Sequence, residues 1–275
     1  MGSLNHDIAI RVPRFPRPDE TLVAHDVAEF RGGKGYNQAT AAARLGAAVA
    51  MIGCVGDDGA GDLLRTGLQA SGIDQSWVHT VAAHTGMAVP LITDDGEVAI
   101  VIVAGANALV DTAIVDAAVG AFAGADVLLL QGEVPISASM RAAELARAAG
   151  ALVVVNPAPV SAESDKLVRV ADLIVVNRDE AATLGLEPTD RVVVTLGAGG
   201  VLVGATNVPA FAVDVVDPTG AGDAFCAALA VAVAEGNDLV AAARFGAAAG
   251  ACAVRRLGAE PGLPTRAEVT AMLGE

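Results

Sequence analysis

Asp217-Pro218-Thr219-Gly220-Ala221-Gly222-Asp223 stands between two apolar runs: Ala210 to Val216, which reads as a strand, and Ala224 to Ala234, which reads as a helix. A Gly-Ala-Gly turn at a helix start leaves backbone N–H groups uncovered by side chains. Those first N–H groups lack intrahelical acceptors and the helix dipole is positive there, so such a turn takes anions. Asp223 sets a carboxylate beside that pocket. The pair suits phosphoryl transfer: N–H groups hold the phosphate, and the carboxylate takes a proton from the attacking hydroxyl. The same residues also satisfy a plain helix cap, because Asp is common at helix starts.

Upstream of this stretch, continuous apolar runs alternate with helical ones. Val127 to Leu130, Ala151 to Asn156, Leu173 to Asn177 and Arg191 to Leu196 read as buried strands, and Val201 to Val203 begins another. Thr112 to Phe122, Ser137 to Ala149 and Asp179 to Leu184 read as helices between them, and Leu239 to Arg255 and Arg266 to Leu273 as helices after Asp223. Continuous apolar strands separated by helices argue for a parallel sheet covered on both faces. The first hundred residues differ. Asp7 to Val12, Thr21 to Phe30, Trp77 to Ala82, Met87 to Thr93 and Glu97 to Val103 are less uniformly apolar. Asp94-Asp95-Gly96 marks a hairpin. They form a small β appendage, with Tyr36 to Leu45 and Asp57 to Ser71 as helices and Ala48 to Cys54 as a buried strand among them. We expect one three-layer α/β/α domain over residues 1–275 with a mostly parallel central sheet. Lid strands would come from about residues 8–28 and 77–103.

Composition limits the partners. The chain carries 17 Lys and Arg against 32 Asp and Glu, a net charge of −15, which repels polyanions and argues against nucleic acid. The longest apolar run is far shorter than the roughly 20 residues a bilayer requires, and no signal peptide is visible. Cys54, Cys226 and Cys252 have no metal-ligand spacing and read as buried thiols in a reducing cytoplasm. Cys226 lies one turn into an apolar helix, so core is its expected place.

Further polar groups cluster at predicted strand ends. Gly32-Gly33-Lys34-Gly35-Tyr36-Asn37 joins flexible backbone to a cation and an amide at a helix start; it suits either hydroxyl binding or a tight turn, and lacks the P-loop spacing. Asn5 and Asp7 point the same way on an extended segment. Glu133 follows the buried strand ending in Gln131-Gly132, where ligands gather in open α/β sheets. Asn177 and Glu180, three apart on a first helical turn, suit either a capping box or oxygen contacts to the waters of Mg²⁺. Thr195-Leu196-Gly197-Ala198-Gly199-Gly200 is either a nucleotide-approach loop or a hairpin.

In this order the motifs resemble the ribokinase-like family of sugar and nucleoside kinases over almost the full length. Besides those above, the resemblance rests on Gly2-Ser3-Leu4-Asn5-His6-Asp7, Gly53-Cys54-Val55-Gly56-Asp57-Asp58, Ala104-Gly105-Ala106-Asn107 and Asn156-Pro157-Ala158-Pro159. It implies an ATP-dependent kinase for a sugar primary hydroxyl, with ribose as the expected acceptor. Another sugar or a nucleoside is the alternative acceptor, and a sugar-binding protein without turnover is the alternative of another class. The resemblance makes Asp223 the base and Gly220, Ala221 and Gly222 the anion hole. Asn5, Asp7, Gly33, Lys34, Asn37, Glu133 and Asp223 would bind the sugar, and Asn177, Thr195, Gly197, Gly200 and Gly222 the nucleotide. Mg²⁺ would sit near Asn177 and Glu180 through water, and K⁺ by Asp217, Thr219, Ala253 and Gly258. The lid would pair two subunits as a homodimer. Four departures accompany it, one being Ala247, where relatives often carry a polar residue near adenine. Relatives place an apolar strand before the Gly-Ser-Leu-Asn stretch, so a gap in the sheet is expected at Met1. The segment from Leu186 to Val192 is too short for a crossover helix. Gly262 replaces a serine that relatives offer to the cation.

Overall fold

The computed structural model describes residues 1–274. In chain order its elements are β1 (Asn5–Val12), β2 (Asp26–Gly32), α1 (Lys34–Arg44), β3 (Gly53–Gly56), α2 (Gly59–Ala70), β4 (Val78–Val81), β5 (Gly86–Thr93), β6 (Val98–Val103), α3 (Thr112–Ala117), β7 (Val127–Gln131), α4 (Ile136–Ala148), β8 (Leu152–Asn156), α5 (Ser164–Val170), β9 (Leu173–Asn177), α6 (Arg178–Leu184), β10 (Val192–Thr195), β11 (Val201–Val203), β12 (Thr206–Val208), α7 (Ala221–Ala234), α8 (Leu239–Ala253), α9 (Ala259–Gly262) and α10 (Arg266–Leu273). No helix among the described residues is long and apolar enough to cross a membrane.

The central sheet runs β12-β11-β10-β9-β8-β7, parallel from β7 to β10 and antiparallel from β10 to β12. Its strands are apolar on both faces because both faces are covered. Leu130, Val153, Val155, Ile174, Val176 and Val194 pack toward Ala138 and Ala142 of α4, Leu167 of α5 and Ala181 of α6. The alternating partners Val154, Leu173, Val175 and Val193 pack toward Phe225, Leu229 and Ala242 of α7 and α8. Successive side chains of a strand point to opposite faces, so one run feeds both layers. Small residues bring α7 and α8 close: a Cβ on Gly246 would lie 2.9 Å from the Phe225 ring.

A second sheet, β2-β1-β5-β6, forms the lid. β4 is not in it. Val78–Val81 pairs in parallel with Gly53–Gly56 as a separate two-stranded ribbon. All six residues of β6 are exposed, whereas β1 is sandwiched between β2 and β5.

Several expectations are corrected. Ala210 to Val216 is not a strand. It runs irregularly beyond β12, and Val216 and Asp217 donate their N–H groups to the Val254 carbonyl at the end of α8. Thr112 to Phe122 divides into α3 and a 3₁₀ turn. The short segment from Leu186 to Val192 needs no helix, because α6 itself carries the connection from β9 to its parallel neighbour β10. Ala48 to Cys54 is regular only from Gly53, apart from a bridge between Ala50 and Asp74. The earlier part of that stretch borders a gap. Between it and β7, the sheet's outer strand, lies a cavity of about 610 Å³ lined by Met1, Ala39, Ala42, Val49, Leu129 and Val231 among others. Met1 caps its end: its amine donates to Leu129 O at 3.1 Å, and Gly2 N–H to Ile52 O at 3.1 Å. Burial pushes the Met1 ammonium down to about 5.

Candidate active site

Four chain segments converge where β1 starts, β7 ends and α1 and α7 begin. Gly33, with φ of 87°, turns β2 into α1 in a conformation that favours glycine. A side chain there would strike Asn5 N at 2.9 Å, and one on Gly35 would strike Ser3 N at 2.6 Å. The glycines thus let α1 lie directly on the strand carrying Asn5 and Asp7. Glu133 fastens the junction, accepting from Lys34 N–H at 2.9 Å and from the Ser3 hydroxyl. A carboxylate over the first turn of α1 also complements its dipole.

At α7, Gly220 adopts φ of 81° and packs against Ala259, where a Cβ would lie 3.0 Å from Ala259 Cα. Ala221 N–H returns to Pro218 O and Ala224 N–H to Gly220 O, while no carbonyl accepts from the N–H groups of Gly222 and Asp223. A Cβ on Gly222 would meet nothing within 4 Å. The turn is therefore an open cradle of unpaired donors.

Asp223 is 7% exposed. Its Oδ2 accepts from Asn37 Nδ2 at 3.1 Å and its Oδ1 from Gln38 Nε2 at 3.0 Å. Two acceptors beside it lack donors: Asp7 Oδ1 and Asn37 Oδ1 are buried without a hydrogen-bond partner. Asp7 is pushed up to about 7, first by burial and then by the charges of Glu133 and Asp223. Lys34 balances them. Burial works against its charge, but Asp223 and Glu133 outweigh it and raise the ammonium above its ordinary range. Orphaned buried acceptors are costly, and hydroxyl donors from a polyol would satisfy both.

Asn5 is buried and accepts from Asn107 Nδ2 at 2.7 Å. Asn107 also brackets Leu4, accepting from its N–H and donating to its carbonyl. Ser3, Gln38, Asn107 and Gln131 were not singled out in the sequence as site residues, although the motifs contain three of them. Neutral amides have no charge pattern to betray them, and their partners lie 93 or more residues away.

The other site residues form a second group at the ends of β9 and β10, where Asn177 and Thr195 are register partners. Asn177 and Glu180 make a full capping box: Glu180 N–H donates to Asn177 Oδ1 at 2.8 Å and Asn177 N–H to Glu180 Oε2 at 2.9 Å. The Thr195–Gly200 stretch turns β10 into β11. Gly200, with φ of 92°, sits so near β12 that a Cβ would lie 2.2 Å from Val208 O, so the hairpin alone requires that glycine. Gly197 is open, with nothing within 4 Å.

Asp217 ties the α7 turn to the segment after α8. Its Oδ1 accepts from Thr219 N–H at 2.9 Å and its Oδ2 from Gly258 N–H at 2.7 Å. Burial pushes this carboxyl up, but those hydrogen bonds outweigh it and hold it below the usual range. Ala253 lies against Gly262, where a Cβ would approach Ala253 O to 2.6 Å. All three cysteines are buried and free; burial holds the Cys226 thiol well above its ordinary value, which fits core rather than nucleophile.

The chain matches the model of the pfkB family carbohydrate kinases over residues 1–266. It is 38% identical to a ribokinase of Haemophilus influenzae, across 99% of this chain and 97% of that protein. Among solved structures, a ribokinase of Thermotoga maritima superimposes with a TM-score of 0.89 at 33% identity, covering 100% of this chain and 98% of the other. The Arabidopsis thaliana ribokinase, solved with ribose and ATP, gives a TM-score of 0.84 at 30% identity, covering 100% and 97%.

Proposed function

The chain belongs to the pfkB family of carbohydrate kinases, and from that membership we propose that it moves the γ-phosphoryl group of ATP to the primary hydroxyl of ribose, giving ribose 5-phosphate and ADP. One observation carries the residue assignment: a buried carboxylate, Asp223, flanked by orphaned acceptors on Asp7 and Asn37 and by the open turn of Gly220, Ala221 and Gly222, where the N–H groups of Gly222 and Asp223 are the free donors.

Asp7 and Asn37 accept from sugar hydroxyls, while Asn5, Gly33, Lys34 and Glu133 shape and charge the pocket around them. Asp223 accepts from the primary hydroxyl. As that oxygen bonds to the γ-phosphorus, its proton passes to Asp223 and the bond to the departing ADP oxygen breaks. The N–H groups of Gly222 and Asp223 stabilise the charge gathered on the equatorial phosphate oxygens. Lys34, the nearby cation, offsets the carboxylates so that an anionic phosphate can approach. Asn177, Thr195, Gly197 and Gly200 hold the nucleotide, with Gly197 leaving room for close approach.

The capping box occupies one oxygen each of Asn177 and Glu180, and no group of three ligand-type side chains exists among the described residues. These residues therefore fit Mg²⁺ held on the nucleotide phosphates and contacted through water, where it would offset phosphate charge. The Asp217–Gly258 link and the adjacent Ala253 carbonyl fit a monovalent cation site that would stiffen the α7 turn. Val98, Ile100 and Val101 of the lid edge are exposed and suit a homodimer interface. Three free buried cysteines accord with a cytoplasmic location.

Asp223→Asn tests the reading. Turnover with Mg-ATP and ribose should fall by about 10²–10⁴-fold, the range for a general base, while calorimetry still detects ribose binding. Near-wild-type turnover would remove Asp223 from its role.

A further inference from the structure

Asp223 does not stand alone. Its Oδ1 accepts from Gln38 Nε2 at 3.0 Å, and Gln38 Oε1 accepts from Gln131 Nε2 at 2.7 Å. Both glutamines are at most 2% exposed. Gln38 lies on α1 and Gln131 at the end of β7, so the chain of amides crosses from the sheet, through a helix, to the carboxylate on α7. A glutamine amide is ambivalent, with an oxygen at one end and two N–H donors at the other. Nothing in Gln38 itself decides which end faces Asp223. The Asp223 carboxylate only accepts and so calls for the amino end, and Gln131, by donating to Gln38 Oε1, holds the amide in that sense. Gln131 pays for this arrangement with an unpartnered buried Oε1, beside which Gly2 must lack a side chain because a Cβ would fall 1.9 Å away.

We propose that Gln38 and Gln131 are positioning residues for this phosphoryl transfer: a two-amide relay, running from β7, that fixes the orientation of the Asp223 carboxylate. Aligned amide dipoles in a buried chain reinforce one another. Neither glutamine is in the sugar or nucleotide pocket described above; each acts through the next. Asn37 holds the other carboxylate oxygen, so the two amides together set the plane of the carboxylate. The relay rests on the reading of Asp223 as the base.

The charged and titratable groups around Asp223 are Asp7 on β1, Lys34 on α1, Glu133 after β7, Glu180 on α6 and Cys226 on α7. They remain in place when Gln38 is changed, so a fall in kcat without a fall in sugar affinity reports the lost donor. Gln38→Leu should lower kcat by about 10–100-fold, the range found when a group orienting a functional ligand is lost, while ribose affinity by calorimetry stays within about twofold. Gln131→Leu should lower kcat less, by about 3–10-fold, with ribose affinity again unchanged. The double variant should be no slower than Gln38→Leu alone, because residues in one hydrogen-bond network couple rather than add.

Circular dichroism and thermal melts confirm that each variant folds before rates are compared. Should Gln38→Leu unfold, Gln38→Glu keeps the shape and replaces the donor by an acceptor, and the same loss of kcat at unchanged ribose affinity is expected. Wild-type kcat in folded Gln38 variants overturns the relay, as does a double variant whose loss is the product of the singles. Asp223→Asn separates the two readings. Full turnover in that variant removes the base assignment, whereas a dead Asp223→Asn beside a normal Gln38→Leu removes the relay only.

Discussion

Sugar binding should expel a proton from Asp7. In the sugar-free protein Asp7 is pushed from 3.8 up to about 7, with burial the largest cause and the charges of Glu133 and Asp223 next. Its Oδ1 is buried without a donor, and Gly32 abuts the carboxylate so closely that a Cβ would lie 2.0 Å from Oδ2. A hydroxyl donating to Oδ1 favours the ionised form and returns the carboxyl toward its ordinary value. The full shift is about three pH units, which at 1.36 kcal/mol per unit couples proton and sugar by up to about 4 kcal/mol. Near pH 7 the free protein is half protonated, so ribose should release about 0.5 proton per site. Affinity should weaken by up to about tenfold for each unit below pH 7. Calorimetry in buffers of different ionisation enthalpy counts the protons directly. Stability shows the same linkage with the opposite partner. Because the folded-state value lies above the unfolded one, the protein without sugar loses stability as pH rises from about 4 to about 7. Asp7→Asn should release no proton, bind ribose weakly at every pH, and melt higher than wild type at pH 8. Proton release near zero at pH 7, with affinity flat between pH 5 and 8, would refute the reasoning.

Other expectations follow from named contacts. Glu260, 9% exposed, accepts from Arg31 at 3.0 Å and 3.2 Å and lies 3.5 Å from Arg44; Glu260→Ala strands Arg31, while Arg44 keeps the Glu260 and Leu263 carbonyls, and should cost about 3 kcal/mol by urea denaturation. Gly222→Ala should leave the melting temperature unchanged, since its Cβ meets open space, yet lower kcat by about 10²-fold by occupying the phosphate cradle. Asp58 caps α2 through Gly61 N–H and also accepts from Thr85; Asp58→Ala should cost about 1–2 kcal/mol in the same melts. Gly262→Ser should not strengthen any response to potassium but destabilise the fold, because its Cβ would press to 2.6 Å of Ala253 O; a gain in activation by K⁺ over Na⁺ would count against that packing.

The parallel sheet was legible because β7 to β10 are apolar runs whose residues are mostly buried, on one face or the other. α7 was legible because a glycine turn punctuates it. Where the sequence misled, tertiary partners decided. Ala210 to Val216 has strand-like residues, but beyond β12 its backbone meets the end of α8 instead of another strand. α5 and β12 escaped notice because Ser164–Val170 carries three charges in seven residues and Thr206–Val208 is only three long. In the site, Asp223 and the glycines announced themselves through local chemistry. The partners of Asp223 did not, since Gln38 and Gln131 acquire meaning only when α1 is laid across β7.

The cavity beside Met1 makes volume a thermodynamic variable for this protein. Water that replaces an apolar void on unfolding shrinks the whole system, so hydrostatic pressure favours the unfolded chain in proportion to the void it eliminates; ordinary domains change by about 20–100 mL/mol. The space of about 610 Å³ set between β7 and Val49 is walled mainly by alanine, valine and leucine but opens to solvent, so only its dry apolar recesses enter that volume change. The cavity also reaches Gln38 and Gln131. Side chains enlarged to fill it would therefore press on the wall that holds the amides.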